Sequence, residues 1–368
     1  MTTRKIRIEH DLLGEREVPA ASYYGVQTLR AVENFPISGI TLGRYRFMVR
    51  SLAYIKKAAA AANAKLGLLP EEIAAALAAA CDDVIAGKYD EQFVVDMIQG
   101  GAGTSSNMNA NEVIANVALE KMGYDKGRYD IIHPNNHVNM CQSTNDVYPT
   151  AIRLALIFKI RGLLEAMRHL YGALEDKSIE FRDIIKMGRT QLQDAVPMSL
   201  RQEFSAFAVM VGEDIARVKE TEQLLREINL GGTAVGTGLN AHPEYSPLAV
   251  LYLRQFTGIE LEAAVNLVEA TQDSGVYVQL SGVLKRVAVK LSKICNDLRL
   301  LSSGPRCGLN EIHLPAMAPG STIMPGKVNP VIPEVVNQVA FYVVGSDTTV
   351  TFAAEAGQLQ LNAMEPII

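Results

Sequence analysis

The sequence predicts a mostly α-helical protein whose middle section is a bundle of long helices. Three observations predict it: long stretches without proline, apolar residues recurring at spacings of three and four, and few alternating strand patterns. At the N-terminus, Ile6-Arg7-Ile8 and residues 15–18 predict a small hairpin with Gly14 in its turn. Helices are expected over 47–66, over 70–85 with Pro70 in the first turn, and over 108–122. No proline then lies between Pro149 and Pro197, between Pro197 and Pro243, or between Pro247 and Pro305. As a helix, the span 145–181 would extend roughly 50 Å. Its first half is apolar around most of its circumference, with Ala151, Ile152, Leu154, Leu156, Ile157, Phe158, Ile160, Leu163 and Leu164 interrupted only by Arg153, Lys159 and Arg161. One subunit is not expected to cover such a surface, so an oligomer is predicted. The span 200–228 carries Phe204, Phe207, Ala208, Val211, Ile215, Val218 and Leu225 on one stripe and ends at Gly231-Gly232. The clearest helix is 280–301, where Leu280, Val283, Leu284, Val287, Leu291, Ile294, Leu298 and Leu301 share a face and Gly304-Pro305 supplies the stop. This gives a mainly helical N-terminal domain over 1–142 and a central long-helix bundle over 143–368.

Composition narrows the function. Lys and Arg number 35 against 40 Asp and Glu, with no basic or acidic block, which argues against a nucleic-acid partner. No apolar run approaches the roughly 20 residues of a membrane span, and the first residues lack the apolar core of a secretory signal, so a cytoplasmic protein is expected. The four cysteines, Cys81, Cys141, Cys295 and Cys307, are scattered, as reduced thiols would be. His133 and His137 are four apart, but Pro134 disfavours a shared helix face, and no metal site is predicted.

Between the helices lie polar, glycine-rich segments: 100–107, 142–146, 188–194, 231–240 and 320–330. Any one of them alone reads first as a turn and a helix cap. The segment from Gly320 to Lys327 is not a P-loop, because five residues separate its glycines and Val328 stands where Ser or Thr is required. Gly101-Ala102-Gly103 and Gly236-Thr237-Gly238 lack the third glycine and the preceding strand of a dinucleotide site. What the segments share is neutral hydrogen-bonding chemistry. Thr104, Ser143, Thr144, Asn145, Thr190 and Gln191 include several residues at expected helix N-termini, whose free N–H groups attract carboxylates. With Lys327 and Asn329 they suit a small substrate bearing more than one carboxylate.

Gly320-Ser321-Thr322-Ile323-Met324-Pro325-Gly326-Lys327-Val328-Asn329-Pro330 resembles the G-S-S-x-M-P-x-K-x-N-P signature loop of the aspartase/fumarase superfamily, with Thr322 in place of the second serine. The resemblance runs from Tyr23-Tyr24-Gly25-Val26-Gln27-Thr28 to the last residue and takes in every polar segment named above. Residues 327–338 and 353–366 look like the aspartase branch. Gln191 stands where fumarases place the histidine that handles water.

The resemblance implies reversible deamination of L-aspartate to fumarate and ammonia through an aci-carboxylate intermediate. It implies Ser321 as general base, acting as an alkoxide in a closing loop with Gly320 and Gly326 as pliable ends. It places Thr104, Ser143, Thr144 and Thr322 on the carboxylate where charge develops, Lys327 and Asn329 on the other carboxylate, and Asn145, Thr190 and Gln191 around the amino group. It implies no required cofactor, leaving room for a divalent cation such as Mg2+ as an activator. It further implies a homotetramer whose helical core joins the subunits and whose sites each draw on three of them. Family members continue into a small C-terminal helical domain, and this chain is expected to lack it. The competing expectations are a class II fumarate hydratase and a non-catalytic oligomeric scaffold. His133-Pro134-Asn135-Asn136-His137 resembles a second anion site of the fumarase branch and is kept out of the catalytic set.

Overall fold

The computed structural model describes residues 5–368, so the first four residues of the predicted N-terminal domain lie outside the described residues. In chain order the elements are β1 (Ile6–Asp11), β2 (Gly14–Pro19), α1 (Val26–Asn34), α2 (Arg46–Lys65), α3 (Glu71–Ile85), α4 (Thr104–Lys121), α5 (Thr144–Glu180), β3 (Ile185–Thr190) and β4 (Gln193–Ser199). They continue with α6 (Leu200–Leu224), β5 (Glu227–Ile228), α7 (Tyr245–Thr257), β6 (Glu262–Ala263), α8 (Leu267–Ala270), α9 (Gly275–Leu301) and α10 (Val331–Glu355). The long helices follow the proline-free spans. Each of the three strand pairs is two-stranded: β1–β2 and β3–β4 antiparallel, β5–β6 parallel. Two compact units result, one made of Met1–Lys159, Gln223–Val276 and Phe352–Ile368, the other of Ile160–Glu222 and Tyr277–Thr351.

In the first unit α2 packs against α3, α4 and α7, and α3 packs against α4. Nearly every residue of α4 is buried, polar ones included. Each buried amide therefore needs a partner. Asn109 accepts from the Val94 N–H at 3.0 Å and donates to the Gln92 carbonyl, and Asn116 donates to the Tyr23 carbonyl and accepts from the Gly127 N–H. Glu112 accepts from the N–H groups of Gly25, Gln27 and Thr28, while Glu9 accepts from Val26. Two carboxylates from outside α1 thus cap its N-terminus, where the helix dipole favours negative charge.

Pro149 lies inside α5. It has no N–H for the carbonyl of Asn145 four residues earlier, and that carbonyl is taken instead by the Asn229 side-chain amide at 2.9 Å. In the second unit α6 meets α9 through Asp214, buried and ion-paired with Arg286 at 3.0 Å and Lys290 at 3.1 Å. Helix α9 meets α10 through Asn337, which donates to Ser292 and Asn296, and through Asp347, which pairs with Lys285.

The departures from expectation have local causes. Helix α4 begins at Thr104, one turn before the first expected residue. Helix α6 stops at Leu224, before the expected end at 228. The 188–194 segment is the closed end of the β3–β4 hairpin rather than a plain loop. Its two turn residues, Gln191 and Leu192, both have positive φ, a conformation usually signalled by Asn-Gly or Gly-Gly, so the turn left no mark in the sequence. The first half of α5 is also better covered than expected. Val147, Ala151, Leu154 and Ile157 are fully buried within one chain, and Ile152, Leu156, Phe158 and Leu163 are half-buried. A run of open apolar side chains lies on α10, at Val335, Val339, Phe341 and Tyr342.

Near the C-terminus Asn362 donates to the Ala353 carbonyl and the Ser274 hydroxyl. Beyond it, burial pushes Glu365 up to about 8, against the opposing pull of Arg153. Its folded-state pKa lies above the unfolded one, so its contribution to stability is full below about 4.5 and is lost as pH rises through about 8. Glu365→Gln is expected to gain stability relative to the parent, on the order of a few kcal/mol, as pH is raised from about 5 to about 9. Parallel melting curves for the two proteins across that range would contradict the assignment.

Candidate active site

The start of α5 is built as a capping box. The Ser143 hydroxyl oxygen accepts from the Asn145 N–H at 3.2 Å, and the Asp146 carboxylate accepts from the Ser143 N–H at 3.0 Å. The other Asp146 oxygen accepts from the N–H groups of Gly231 and Thr233, both at 3.0 Å. One buried carboxylate therefore joins the 143–146 and 231–240 segments. Burial pushes Asp146 up to about 7, while the N–H groups of Thr233, Ser143 and Gly231 and the charge of Lys56 oppose the shift. Asn145 adds a second tie, its amide donating to the Ala234 carbonyl at 2.8 Å.

Beneath this turn lies Lys56, 1% exposed on α2. Its ammonium donates to Asn107 at 2.7 Å, Asn139 at 2.8 Å and Gln142 at 2.9 Å, so each of its three hydrogens has an oxygen. Burial pulls its pKa down to about 7, and the nearby Asp146 carboxylate pulls it back up. The Asn107 amide in turn donates to the Thr144 hydroxyl oxygen at 3.1 Å. Thr104, exposed, opens α4 after Gly101, Ala102 and Gly103, all at positive φ. A Cβ on Gly103 would fall 2.3 Å from the Tyr148 ring, so only glycine lets the N-terminus of α4 lie against the first turns of α5. The structure thus brings Thr104, Ser143, Thr144 and Asn145 to one end of the α4–α5 pair.

The other predicted residues belong to the second unit. Thr190 and Gln191 are exposed at the tip of the β3–β4 hairpin. The hairpin is anchored by ion pairs of Lys186 with Glu203 and of both Lys186 and Arg189 with Glu311. Ser321, Thr322, Lys327 and Asn329 sit on a flap between α9 and α10, closed at its base by the Pro319–Val328 bridge and by the Gly320 N–H on the Lys327 carbonyl at 2.7 Å. Asn329 donates to the Gly320 carbonyl at 2.9 Å, so it pins the flap. A Cβ on Gly320 would meet the Asn329 side chain and backbone at 2.8 Å. Within the flap the Ser321 hydroxyl oxygen accepts from the N–H groups of Ile323 at 3.2 Å and Met324 at 3.0 Å. Two N–H groups on that oxygen favour its deprotonated form. Thr322 and Lys327 are exposed beside it.

Lys56 and Asn229 escaped the reading of the sequence, and Asn107 and Asp146 lay within its polar segments without a role in the site; Lys56 nevertheless carried a signal. It falls three or four residues from Leu52, Ala53, Ala59 and Ala60 and seven from Asn63, all buried, and so lies on the inner face of α2. His133 caps the one-turn helix at Pro134–Val138, its ring nitrogen accepting from Asn135 at 3.0 Å, and His137 accepts from the His133 N–H at 2.9 Å. Among the described residues, no three His, Cys, Asp or Glu side chains are grouped as a metal site would need. No helix among them is long and apolar enough to cross a membrane.

A family described as lyase matches residues 14–345. The chain is 63% identical over 363 residues to an aspartate ammonia-lyase of Pseudomonas aeruginosa, covering 98% of this chain and 77% of that one. It is 59% identical over 367 residues to an aspartate ammonia-lyase of Escherichia coli K12, covering 100% of this chain and 77% of that one. Among solved structures, a fumarate lyase:delta crystallin from Brucella melitensis bound to cobalt superposes with a TM-score of 0.97 at 62% identity, covering 99% of this chain and 79% of that one. A class II fumarase from Schistosoma mansoni gives 0.95 at 38% identity, over 99% of this chain and 79% of that one.

Asp146→Asn turns an amide N–H₂ toward a backbone N–H that now meets an oxygen. It is expected to lower stability by about 1–3 kcal/mol, the cost of a buried unsatisfied donor, read as a drop in thermal midpoint. An unchanged midpoint would mean that the carboxylate does not hold the two segments.

Proposed function

Because the chain belongs to the lyase family and, within it, to the aspartase/fumarase superfamily, we propose a serine-based elimination of ammonia as its reaction. The chain catalyses the reversible deamination of L-aspartate to fumarate and ammonia. The observation that carries this is the 59–63% identity to aspartate ammonia-lyases over nearly the whole chain, against 38% to the class II fumarase.

The difficulty of the reaction lies in the proton on the carbon beside the side-chain carboxylate. Removing it loads a second negative charge onto that carboxylate, and donors already aimed there lower the barrier, each by about 2.7–4 kcal/mol on precedent. Ser321 as alkoxide takes the proton, and the N–H groups of Ile323 and Met324 support its charge. The electron pair passes into the carboxylate, held by Thr104, Ser143, Thr144 and Thr322. It then returns to form the carbon–carbon double bond as the carbon–nitrogen bond breaks and ammonia leaves with the bonding pair.

Lys327 holds the other carboxylate, and Asn329 keeps the flap in shape behind it. Asn145, Thr190 and Gln191 surround the amino group. The Asn145 amide is already tied to Ala234, which leaves its carbonyl oxygen for an ammonium. Flap closure excludes water and creates the base and its donors together. The enzyme works in the cytoplasm without a required cofactor, a divalent cation such as Mg2+ acting as activator. It does so as a homotetramer in which the open apolar face of α10 is covered and three subunits contribute to each site.

Assayed side by side, L-aspartate is expected to yield fumarate absorbance and L-malate none. Malate turnover without aspartate turnover would instead make the protein a fumarate hydratase. Ser321→Ala is expected to lower kcat by roughly a hundredfold or more with an unchanged melting temperature. Near-normal turnover in that variant would remove Ser321 from the mechanism.

A further inference from the structure

Lys56 is buried, charged and outside the set of residues that the reaction above employs. An ammonium donates three hydrogen bonds and accepts none, so whatever faces it must present oxygen. The Asn107 amide is therefore oriented with its oxygen on Lys56 at 2.7 Å and its N–H₂ toward the Thr144 hydroxyl oxygen and the Asn139 carbonyl oxygen, both at 3.1 Å. Asn139 and Gln142 are oriented the same way, each with its oxygen on the ammonium and its N–H₂ on backbone carbonyls. The consequence reaches Thr144. Its oxygen already receives an N–H from within the protein, so the side of the hydroxyl facing Asn107 cannot take its hydrogen.

We infer that Lys56 is a positioning residue: by fixing the Asn107 amide it compels Thr144 to offer its hydroxyl hydrogen outward, to the carboxylate on which charge develops. The inference rests on the reading of Thr144 as a donor to that carboxylate. Without the ammonium the amide is free to turn over, present its oxygen to Thr144 and draw the hydroxyl hydrogen inward. A buried cation thus sets the direction of a neutral hydrogen bond two links away without touching the substrate.

The test uses the full chain and four variants: Lys56→Met, Asn107→Asp, Thr144→Ala and the double variant Asn107→Asp with Thr144→Ala. Lys56→Met strips three buried oxygens of their donor and is the variant at risk of misfolding. Asn107→Asp keeps the Lys56 contact but places an acceptor against both Thr144 and the Asn139 oxygen, so the double variant is what assigns its effect to the direction of the Thr144 bond. Its kcat for L-aspartate is expected to fall roughly tenfold to a hundredfold, the size of one hydrogen bond to a charged group, with a smaller change in KM. The double variant is expected to be no worse than Thr144→Ala alone, because both changes remove the same donor.

If Asn107→Asp retains full activity while Thr144→Ala is impaired, or if the two losses multiply in the double variant, the inference is overturned and the reaction stands. If Thr144→Ala is itself fully active, the donor role of Thr144 fails and takes the inference with it, leaving aspartate deamination intact. A parent protein that yields no fumarate from aspartate removes the reaction and the inference together.

Discussion

The constraint on which the first unit depends is the burial of one ammonium. Lys56 sits on an alanine-rich helix whose small side chains, at Ala58, Ala59, Ala60 and Ala62, are all buried. Taking a cation out of water costs several kcal/mol unless its donors are met, and here they are met by three side-chain carbonyls. Two of those carbonyls come from the turn over 139–142 and one from α4. The first turn of α5 inherits their placement, through Asn107 on Thr144. Asp146, in that same first turn, has the opposite charge and gathers backbone N–H groups as Lys56 gathers oxygens. The two act over distance rather than as a contact pair. Each is neutralised by dipoles of the chain, and each thereby dictates which way those dipoles face.

Much of this architecture was legible before any coordinates. Helix boundaries over the proline-free spans followed from periodicity, because a buried stripe leaves a regular mark in the sequence. The β3–β4 hairpin left no such mark, since its pairing is local and its turn puts Gln191 and Leu192 where glycine or asparagine is usual. Helix α10 was legible only as a motif. Pro333 lies in its first turn, where a proline is tolerated because the first N–H groups of a helix have no partner within it. The site divides in the same manner. Hydroxyls and amides at helix starts could be picked out by chemistry, and the flap by its likeness to a known loop. What holds them could not, because Lys56 and Asn229 are polar residues among buried apolar neighbours and Asn107 is one amide among several in a polar segment. Such residues look like interruptions until their partners are known.

The flap and the α5 cap answer different physical demands. At the cap, the Ser143 and Thr144 oxygens each receive an N–H from the chain, which leaves their hydrogens to donate. At Ser321 two backbone N–H groups converge on an oxygen in an exposed loop, an arrangement that favours negative charge on it. The same type of group, a hydroxyl, is thus tuned toward donor behaviour in one segment and toward acceptor behaviour in another. The tuning comes only from the hydrogen bonds it receives.

That contrast bears on why the proposed reaction relies on neutral donors. A dicarboxylic amino acid arrives already charged, so a cation at the reacting carboxylate would bind the ground state strongly as well as the transition state. The gain must come from interactions that strengthen as the second charge accumulates. Short, fixed hydroxyl and N–H dipoles respond in that way, and they need no reorganisation once the site is closed. In the proposed site a single lysine on the other carboxylate orients the molecule, and that lysine, Lys327, is exposed on the flap. The buried Lys56 then contributes its charge indirectly, as the fixed reference that keeps the neutral donors pointing outward.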